Sequence, residues 1–122
     1  MTDPHAFRVS AVSLDCADHA GLAAFYAELF DGTLLWSHRH ASAVDVGGLV
    51  LVTQQVADHR EPTWPGASIV HLDVTVDADD LDAQAARAVG LGARLADPQP
   101  DPRWRVVLDP AGHPFCLTPF GP

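Results

Sequence analysis

Residues 71–93, HLDVTVDADDLDAQAARAVGLGA, contain the pattern that decides the fold. Alternating apolar residues predict a strand, the acidic run predicts a helix start, and the apolar-periodic segment predicts a helix that stops at glycine. Residues 13–33, SLDCADHAGLAAFYAELFDGT, repeat this order, and both copies open with Leu-Asp. A supersecondary unit repeated at an offset of about 58 to 60 residues predicts two stacked modules.

The composition predicts one compact domain. The chain has 122 residues, of which 48% are hydrophobic, and this is enough for a core of its own. Its two cysteines, Cys16 and Cys116, are far apart in sequence, which favours a reducing compartment over a disulfide scaffold. No secretory signal or apolar run of membrane-spanning length is evident. We therefore expect a cytoplasmic protein with no membrane partner.

The charge limits the partners. The formal net charge is −9 and the pI is about 4.9, which disfavours nucleic acid as a partner. All seven basic residues are arginine, and this excludes Schiff-base chemistry through a lysine. The acidity is compatible with a cationic ligand, although a solvated acidic surface is the simpler interpretation.

Module 1 is predicted at about residues 7–55. A strand over residues 7–16 precedes a helix with Asp18 as N-cap, and three short strands follow over residues 33–40, 43–46 and 49–54. Gly47-Gly48 predicts a hairpin turn between the last two. The helix ends at Gly32, and its apolar stripe consists of Leu22, Phe25, Tyr26, Leu29 and Phe30.

A linker at about residues 56–67 and module 2 at about residues 68–120 complete this single domain of residues 1–122. We expect a strand over residues 69–76, an N-cap from Asp77 or Asp79, and a helix over about residues 80–89 that Gly90 and Gly92 end. Short strands are expected over residues 93–96, 104–109 and 115–119. The residues expected on the inner face of the helix are Leu81, Ala85, Ala88 and Val89.

These patterns resemble a known superfamily. Residues 14–30 (LDCADHAGLAAFYAELF), residues 71–93 and above all LDPAGHPFCL at Leu108 to Leu117 are similar to the glyoxalase / bleomycin-resistance / extradiol-dioxygenase (vicinal oxygen chelate, VOC) superfamily. The glyoxalase-like domain subgroup is the most similar. The resemblance implies an α+β fold in which two βαβββ modules form a curved, mostly antiparallel eight-stranded sheet. It also implies helices outside, a ligand cavity on the concave face and a homodimer.

The resemblance also implies where a metal would bind. The corresponding positions are Ser13, Val50, His71 and Cys116, of which only His71 is an unambiguous ligand. Cys116 is suited to a soft metal as thiolate but stands where a glutamate is usual. We therefore predict no cofactor, with a divalent metal as the alternative.

His71 is the central candidate site residue. One interpretation is a polar anchor or general base in the cavity with Asp73 beside it, and the other is a histidine hydrogen-bonded within the sheet. Asp73 and its counterpart Asp15 are interpreted as structural carboxylates, because both repeats contain them, with catalysis by Asp73 as the alternative. Cys116 is interpreted as a small wall of the cavity.

Other candidates follow from strand alternation and aromatic character. Gln54 is expected to project toward the cavity. Trp36 shares a strand face with His38 and His40, a pattern more typical of a surface than of a metal site. Trp64 is either a lid over a flat ligand or part of the core. The predicted ligand-binding residues are His71, Gln54, Ser13, Trp36, Trp64 and Cys116.

The sequence therefore favours a metal-independent small-molecule-binding protein of the glyoxalase/bleomycin-resistance type, which sequesters an antibiotic or metabolite. The alternative is a VOC-type lyase, isomerase or dioxygenase that uses His71 as base or metal ligand. A third possibility is an interaction module with a vestigial cavity. The fold alone does not choose among them.

Overall fold

Two βαβββ modules form the protein in the computed structural model, which describes residues 8–66 and 70–120. The first module consists of β1 (Val12–Cys16), α1 (His19–Leu29), β2 (Thr33–Ser37), β3 (Ala41–Asp45) and β4 (Val50–Gln55). The second consists of β5 (Leu72–Thr75), a 3-10 turn (Ala78–Asp80), α2 (Leu81–Gly90), β6 (Arg94–Leu95), β7 (Arg105–Leu108) and β8 (Pro114–Thr118). The predicted repeat and the α+β class are confirmed.

Each module forms a four-stranded sheet, in the order β1-β4-β3-β2 for the first and β5-β8-β7-β6 for the second. The β1–β4 and β5–β8 pairs are parallel, and the other pairs are antiparallel. Along β1, Leu14 and Cys16 are buried in the core while Ser13 and Asp15 are exposed. Each sheet therefore has a face that packs against the helices and an opposite face, which we call the open face.

One hydrophobic core joins the two modules. The predicted stripe of α1 is buried, except that Phe30 is half-buried at its end. Phe115 of β8 packs against the rings of Phe25 and Tyr26, both at a centroid distance of 6.3 Å. Leu81, Ala85 and Ala88 of α2 belong to the same core. Neither helix of the described chain is long and apolar enough to span a bilayer.

A buried hydrogen bond connects α1 to the closing turn of the second module. The Tyr26 hydroxyl donates to Oδ2 of Asp109 at 2.5 Å. Oδ1 of Asp109 accepts from the backbone N–H groups of Ala111 at 2.8 Å and His113 at 3.0 Å. Burial raises the pKa of Asp109, and the hydrogen bond from Tyr26 and the neighbouring donors oppose that shift. The turn therefore depends on a carboxylate that the first module helps to stabilise.

Two further interactions cross between the modules. The guanidinium of Arg87, in the last turn of α2, donates to the carbonyls of Leu29 at 2.6 Å and Glu28 at 2.8 Å. These carbonyls lie at the end of α1, where no intrahelical donor is available. Nε2 of His113 donates to the Asp15 carbonyl at 2.6 Å, so this side chain connects the closing turn of the second module to β1.

Several strands are shorter than predicted. The expected strand starts at residues 7 and 69 lie outside the described residues. Within them, β1 begins at Val12 and β5 at Leu72, so that His71 directly precedes its strand. β2 ends at Ser37 rather than at residue 40, because the bond from the His38 N–H to the Ala41 carbonyl closes a turn there. The Gly47-Gly48 turn is confirmed, with φ of 89° and 98°.

The start and the inner face of α2 differ from the prediction. Asp80 occupies the N-cap position, and neither it nor Asp77 makes a side-chain capping bond. The bond from the Asp80 N–H to the Asp77 carbonyl closes the 3-10 turn instead, so the backbone provides the start. Val89 was expected inside but is 45% exposed. It follows Ala88 by one residue and is therefore rotated about 100° away from the buried stripe.

The Tyr26→Phe variant tests the connection between the modules. The ring and its packing are retained, but Oδ2 of Asp109 loses its donor in a buried site. We expect the free energy of unfolding to fall by about 1–3 kcal/mol, measured by urea denaturation. A double-mutant cycle with Asp109→Asn provides the control, and strictly additive effects would contradict a direct coupling.

Candidate functional site

A pocket of about 370 Å³ lies on the open face of the second sheet. Its floor comes from β5, β7, β8 and the residue that precedes β5, and its walls come from loops. The floor residues are His71, Asp73, Val106, Cys116 and Thr118. The wall residues are Trp64, Pro100, Trp104 and Phe120.

Three polar side chains converge on this floor. Nδ1 of His71 lies 3.7 Å from Sγ of Cys116 and 3.4 Å from Oδ1 of Asp73. Alternation along the chain directs His71 and Asp73 to the same face, and the parallel register pairs Asp73 with Cys116. The strand pairing itself therefore assembles the group.

The electrostatics of the group follow from partial burial and the nearby carboxylate. Burial and then the charge of Asp73 raise the pKa of the Cys116 thiol, which is therefore protonated at neutral pH. The side chains of His71 and Asp73 are 45% and 59% exposed, so solvent and ligands reach both. Nδ1 of His71 lies within reach of the Cys116 thiol and of the Asp73 carboxylate, and in a neutral imidazole one ring nitrogen donates while the other accepts. This arrangement is suited to a polar anchor or a general base.

The aromatic walls are held by polar contacts outside the pocket. The indole N–H of Trp64 donates to the Pro98 carbonyl at 3.0 Å. The guanidinium of Arg103 lies 5.4 Å from the ring centroid of Trp104 and 5.8 Å from that of Phe120. Asp101 holds this guanidinium through hydrogen bonds of 3.0 and 2.9 Å. Contacts within the protein therefore help to fix the orientation of the walls.

The remaining predicted ligand residues lie on the other sheet. Ser13 pairs with Val52, which pairs with Ala43, which pairs with Trp36, so these residues form one row across the first sheet. Gln54, which pairs with Asp15, is exposed in the next row. Ser13, Gln54 and Trp36 are not among the described residues that line the pocket. Their roles in ligand binding stay predictions.

The two sheets carry corresponding sets of residues. By repeat offset and strand pairing, Ser13, Asp15 and Gln54 occupy the positions of His71, Asp73 and Cys116. The carboxylate is common to both sets, whereas the imidazole and the thiol occur in the second set alone. Asp73 lies 3.4 Å from His71 and lines the pocket, and whether its role is structural or catalytic stays a prediction.

The donor set of the pocket is suited to a divalent metal. Imidazole, thiolate and carboxylate are all metal ligands, and their donor atoms lie within 4.8 Å of one another. Among residues 8–66 and 70–120, no other group of three such side chains converges in this way. His38 and His40 are both exposed and do not form such a group.

Thr118, Pro100 and Phe120 line the pocket but were not predicted to do so. Alternation from Cys116 would have identified Thr118. Pro100 and Phe120 lie in irregular segments, for which the sequence contains no comparable signal.

The sequence profile of the family described as a glyoxalase-like domain matches residues 11–118 of this chain. The chain belongs to this family. The chain matches none of the curated proteins with which it was compared.

Solved structures with the same fold resemble this glyoxalase-like protein at low sequence identity. One is a mutant of the genomically encoded fosfomycin resistance protein FosX from Listeria monocytogenes, complexed with Mn(II) and 1S,2S-dihydroxypropylphosphonic acid. Its TM-score is 0.70 at 17% identity, and the alignment covers 92% of this chain and 89% of that chain. A second is FosX from Mesorhizobium loti, with a TM-score of 0.69, 19% identity, and coverage of 93% and 92%.

A third is a glyoxalase/bleomycin resistance protein/dioxygenase family enzyme from Burkholderia phytofirmans PsJN. Its TM-score is 0.71 at 20% identity, and the alignment covers 88% of this chain and 94% of that chain. At such identities the likeness shows the fold alone.

The two cysteines should differ in reactivity. Cys16 is 1% exposed, and burial together with nearby carboxylates raises its pKa to about 11, whereas Cys116 is half-buried at the pocket. We expect iodoacetamide to label Cys116 in the native protein and to spare Cys16, with a rate at Cys116 that still increases above pH 9. Peptide mass mapping measures both sites, and labelling in urea is the control. Equal native rates would contradict this assignment.

Proposed function

We propose that this glyoxalase-like protein binds a small, flat organic molecule in the pocket of the second sheet. The observation that carries the proposal is a single pocket that combines aromatic walls, Trp64, Trp104 and Phe120, with a polar floor of His71 and Asp73. Its volume of about 370 Å³ lies in the range of small-molecule sites. Flat aromatic walls favour a planar ligand, and the floor groups orient it.

The charge of the pocket favours a neutral or cationic ligand. Asp73 contributes a carboxylate, and no lysine or arginine is among the described residues that line the pocket. Arg103 lies beside the walls but is paired with Asp101. A phosphonate, the ligand class in the FosX complex, would meet this carboxylate in a protein with a formal charge of −9. We therefore do not propose fosfomycin as the ligand.

Two modes of action use the same pocket. In the metal-independent mode, favoured by the sequence, His71 and Asp73 anchor a sequestered antibiotic or metabolite. In the second mode the protein is a VOC-type lyase, isomerase or dioxygenase, and His71 acts as base or metal ligand. The convergence of Asp73 and Cys116 on His71 favours the second mode.

A divalent metal at this site would be held by His71, Asp73 and Cys116 and would supply Lewis-acid polarisation of a ligand oxygen. The aromatic walls would orient the ligand and exclude water from its planar faces. Where no metal takes part, a ring nitrogen of His71 would accept a proton from the ligand, and Asp73 would stabilise the imidazolium that forms. An altered ligand recovered from the protein would distinguish catalysis from sequestration.

Binding can be tested with the planar cation proflavine, with anisotropy as the readout. We expect saturable binding that Trp64→Ala and Trp104→Ala each weaken by about tenfold, or about 1.4 kcal/mol. Val89→Ala is the control, because Val89 is exposed on α2 and is not among the described residues that line the pocket, and it should leave the Kd unchanged. The planar anion naphthoate should compete poorly.

Equal effects of Trp64→Ala, Trp104→Ala and Val89→Ala would contradict binding in this pocket. Unsaturable binding by all four proteins would do the same. Thermal melts of each variant verify that the fold is retained.

We also propose that the protein is a homodimer that uses the first sheet. Leu34, Leu35 and Trp36 of the edge strand β2 are 53%, 49% and 38% exposed, an apolar run typical of an interface. We expect a dimer by light scattering and a monomer for Leu35→Glu. Leu95→Glu, on the edge strand β6, is the matched control and should remain dimeric. A monomeric wild-type protein at micromolar concentration would contradict the proposal.

A further inference from the structure

Two separations between the donor atoms match those around one metal ion. A tetrahedral zinc ion, with bonds of about 2.3 Å to sulfur and about 2.0–2.1 Å to nitrogen and oxygen, separates S from N by about 3.5 Å and N from O by about 3.3 Å. In this protein Nδ1 of His71 lies 3.7 Å from Sγ of Cys116 and 3.4 Å from Oδ1 of Asp73. The three donor atoms all lie within 4.8 Å of one another, which is close enough for one small ion to contact all of them after small side-chain adjustments.

We propose that His71, Asp73 and Cys116 bind a thiophilic divalent cation, with zinc as the preferred ion, and that they bind it more tightly than manganese or magnesium. The sulfur ligand carries this preference, because thiolates select zinc and similar ions while manganese and magnesium favour carboxylate, carbonyl and water oxygens. The inference rests on the pocket of the proposed function and specifies the cation at its floor.

The three donors leave one side of the ion open to the pocket. His71 and Asp73 are both partly exposed there, and the aromatic walls stand around them. Three protein ligands with one open position are typical of reactive zinc sites, whereas structural sites have four protein ligands. A molecule bound between the walls would therefore reach the cation directly.

The charges of the site balance. One thiolate and one carboxylate neutralise a divalent cation, while neutral imidazole adds none. The loaded floor would thus carry no net charge, and the preference for cationic ligands that the free Asp73 carboxylate gives the pocket would be lost. The formal charge of −9 elsewhere favours capture of a cation from solution.

The site is complete within the second module. His71 precedes β5, Asp73 lies within β5, and Cys116 lies on the adjacent β8. The corresponding positions of the first sheet hold Ser13, Asp15 and Gln54, a set without imidazole or thiol. The cation should therefore bind to the monomer as well as to a dimer. Asp15 also offers a matched control for Asp73.

Cobalt is the spectroscopic probe for this test. The full-length chain is stripped with chelator and titrated with CoCl₂, while absorption reports tetrahedral geometry and a sulfur-to-cobalt charge-transfer band. We expect saturation near one equivalent per chain, displacement by ZnCl₂, and no displacement by excess MnCl₂. A spectrum without the sulfur band, or displacement of cobalt by MnCl₂, would overturn the proposal.

Variants identify the ligands. Cys116→Ser should abolish the sulfur band and weaken cobalt binding by more than about tenfold, since even outer-sphere partners contribute 10- to 100-fold. Asp73→Asn should weaken binding with the band retained. Asp15→Asn and His40→Ala should match the wild type. Equal losses in Asp73→Asn and Asp15→Asn would overturn the assignment of the ligands.

The same samples separate this inference from the proposed function. Proflavine binding to stripped protein that takes up no cobalt would overturn the cation site and leave the binding function standing. Cobalt uptake with the expected spectrum, but without saturable proflavine binding, would support the cation site and overturn the proposed ligand class.

Discussion

The buried contact between Tyr26 and Asp109 is the constraint on which the rest of the structure depends. A carboxylate without solvent must be surrounded by donors, and here one donor comes from α1 while two come from the turn itself. The turn sets the pairing of Leu108 with Pro114, and hence the position of Cys116 in β8. The pocket floor is thus connected, through one hairpin, to a hydrogen bond on the far side of the sheet.

The sequence predicted the features that repeat or that follow from local chemistry. The structure confirms the two modules, the buried stripe of α1, the Asp18 N-cap and the Gly47-Gly48 turn. Each of these features depends on residues that are neighbours in the sequence or that repeat at a fixed offset. The partner of Tyr26 was not predictable, since Asp109 is 83 positions away and only the folded chain brings them together. Periodicity marks a buried ring but carries no information on where its hydroxyl finds an acceptor.

The candidate site was predictable in part for a related reason. His71, Trp64 and Cys116 were identified and do line one pocket, whereas Asp73 was interpreted as structural because Asp15 repeats it. The repeat preserves the strand position but not the neighbours, so the shared carboxylate lies beside an imidazole in the second sheet alone. Trp64 reaches the pocket from the linker, which also contacts the second module through His59 and Glu61. Contacts made by an irregular segment produce no hydrophobic periodicity, so the sequence pattern does not predict them.

The parallel register of β5 and β8 links the chemistry of the pocket to the accuracy of folding. Side chains alternate along a strand, so a slip of β5 by one residue would turn Asp73 toward the core and bring Leu72 or Val74 to the open face. Leu72 and Val74 are half-buried against the core, so the same apolar pattern favours the alignment in which the polar group faces the pocket. A one-residue slip would expose these apolar side chains and remove the polar group from the pocket at the same time.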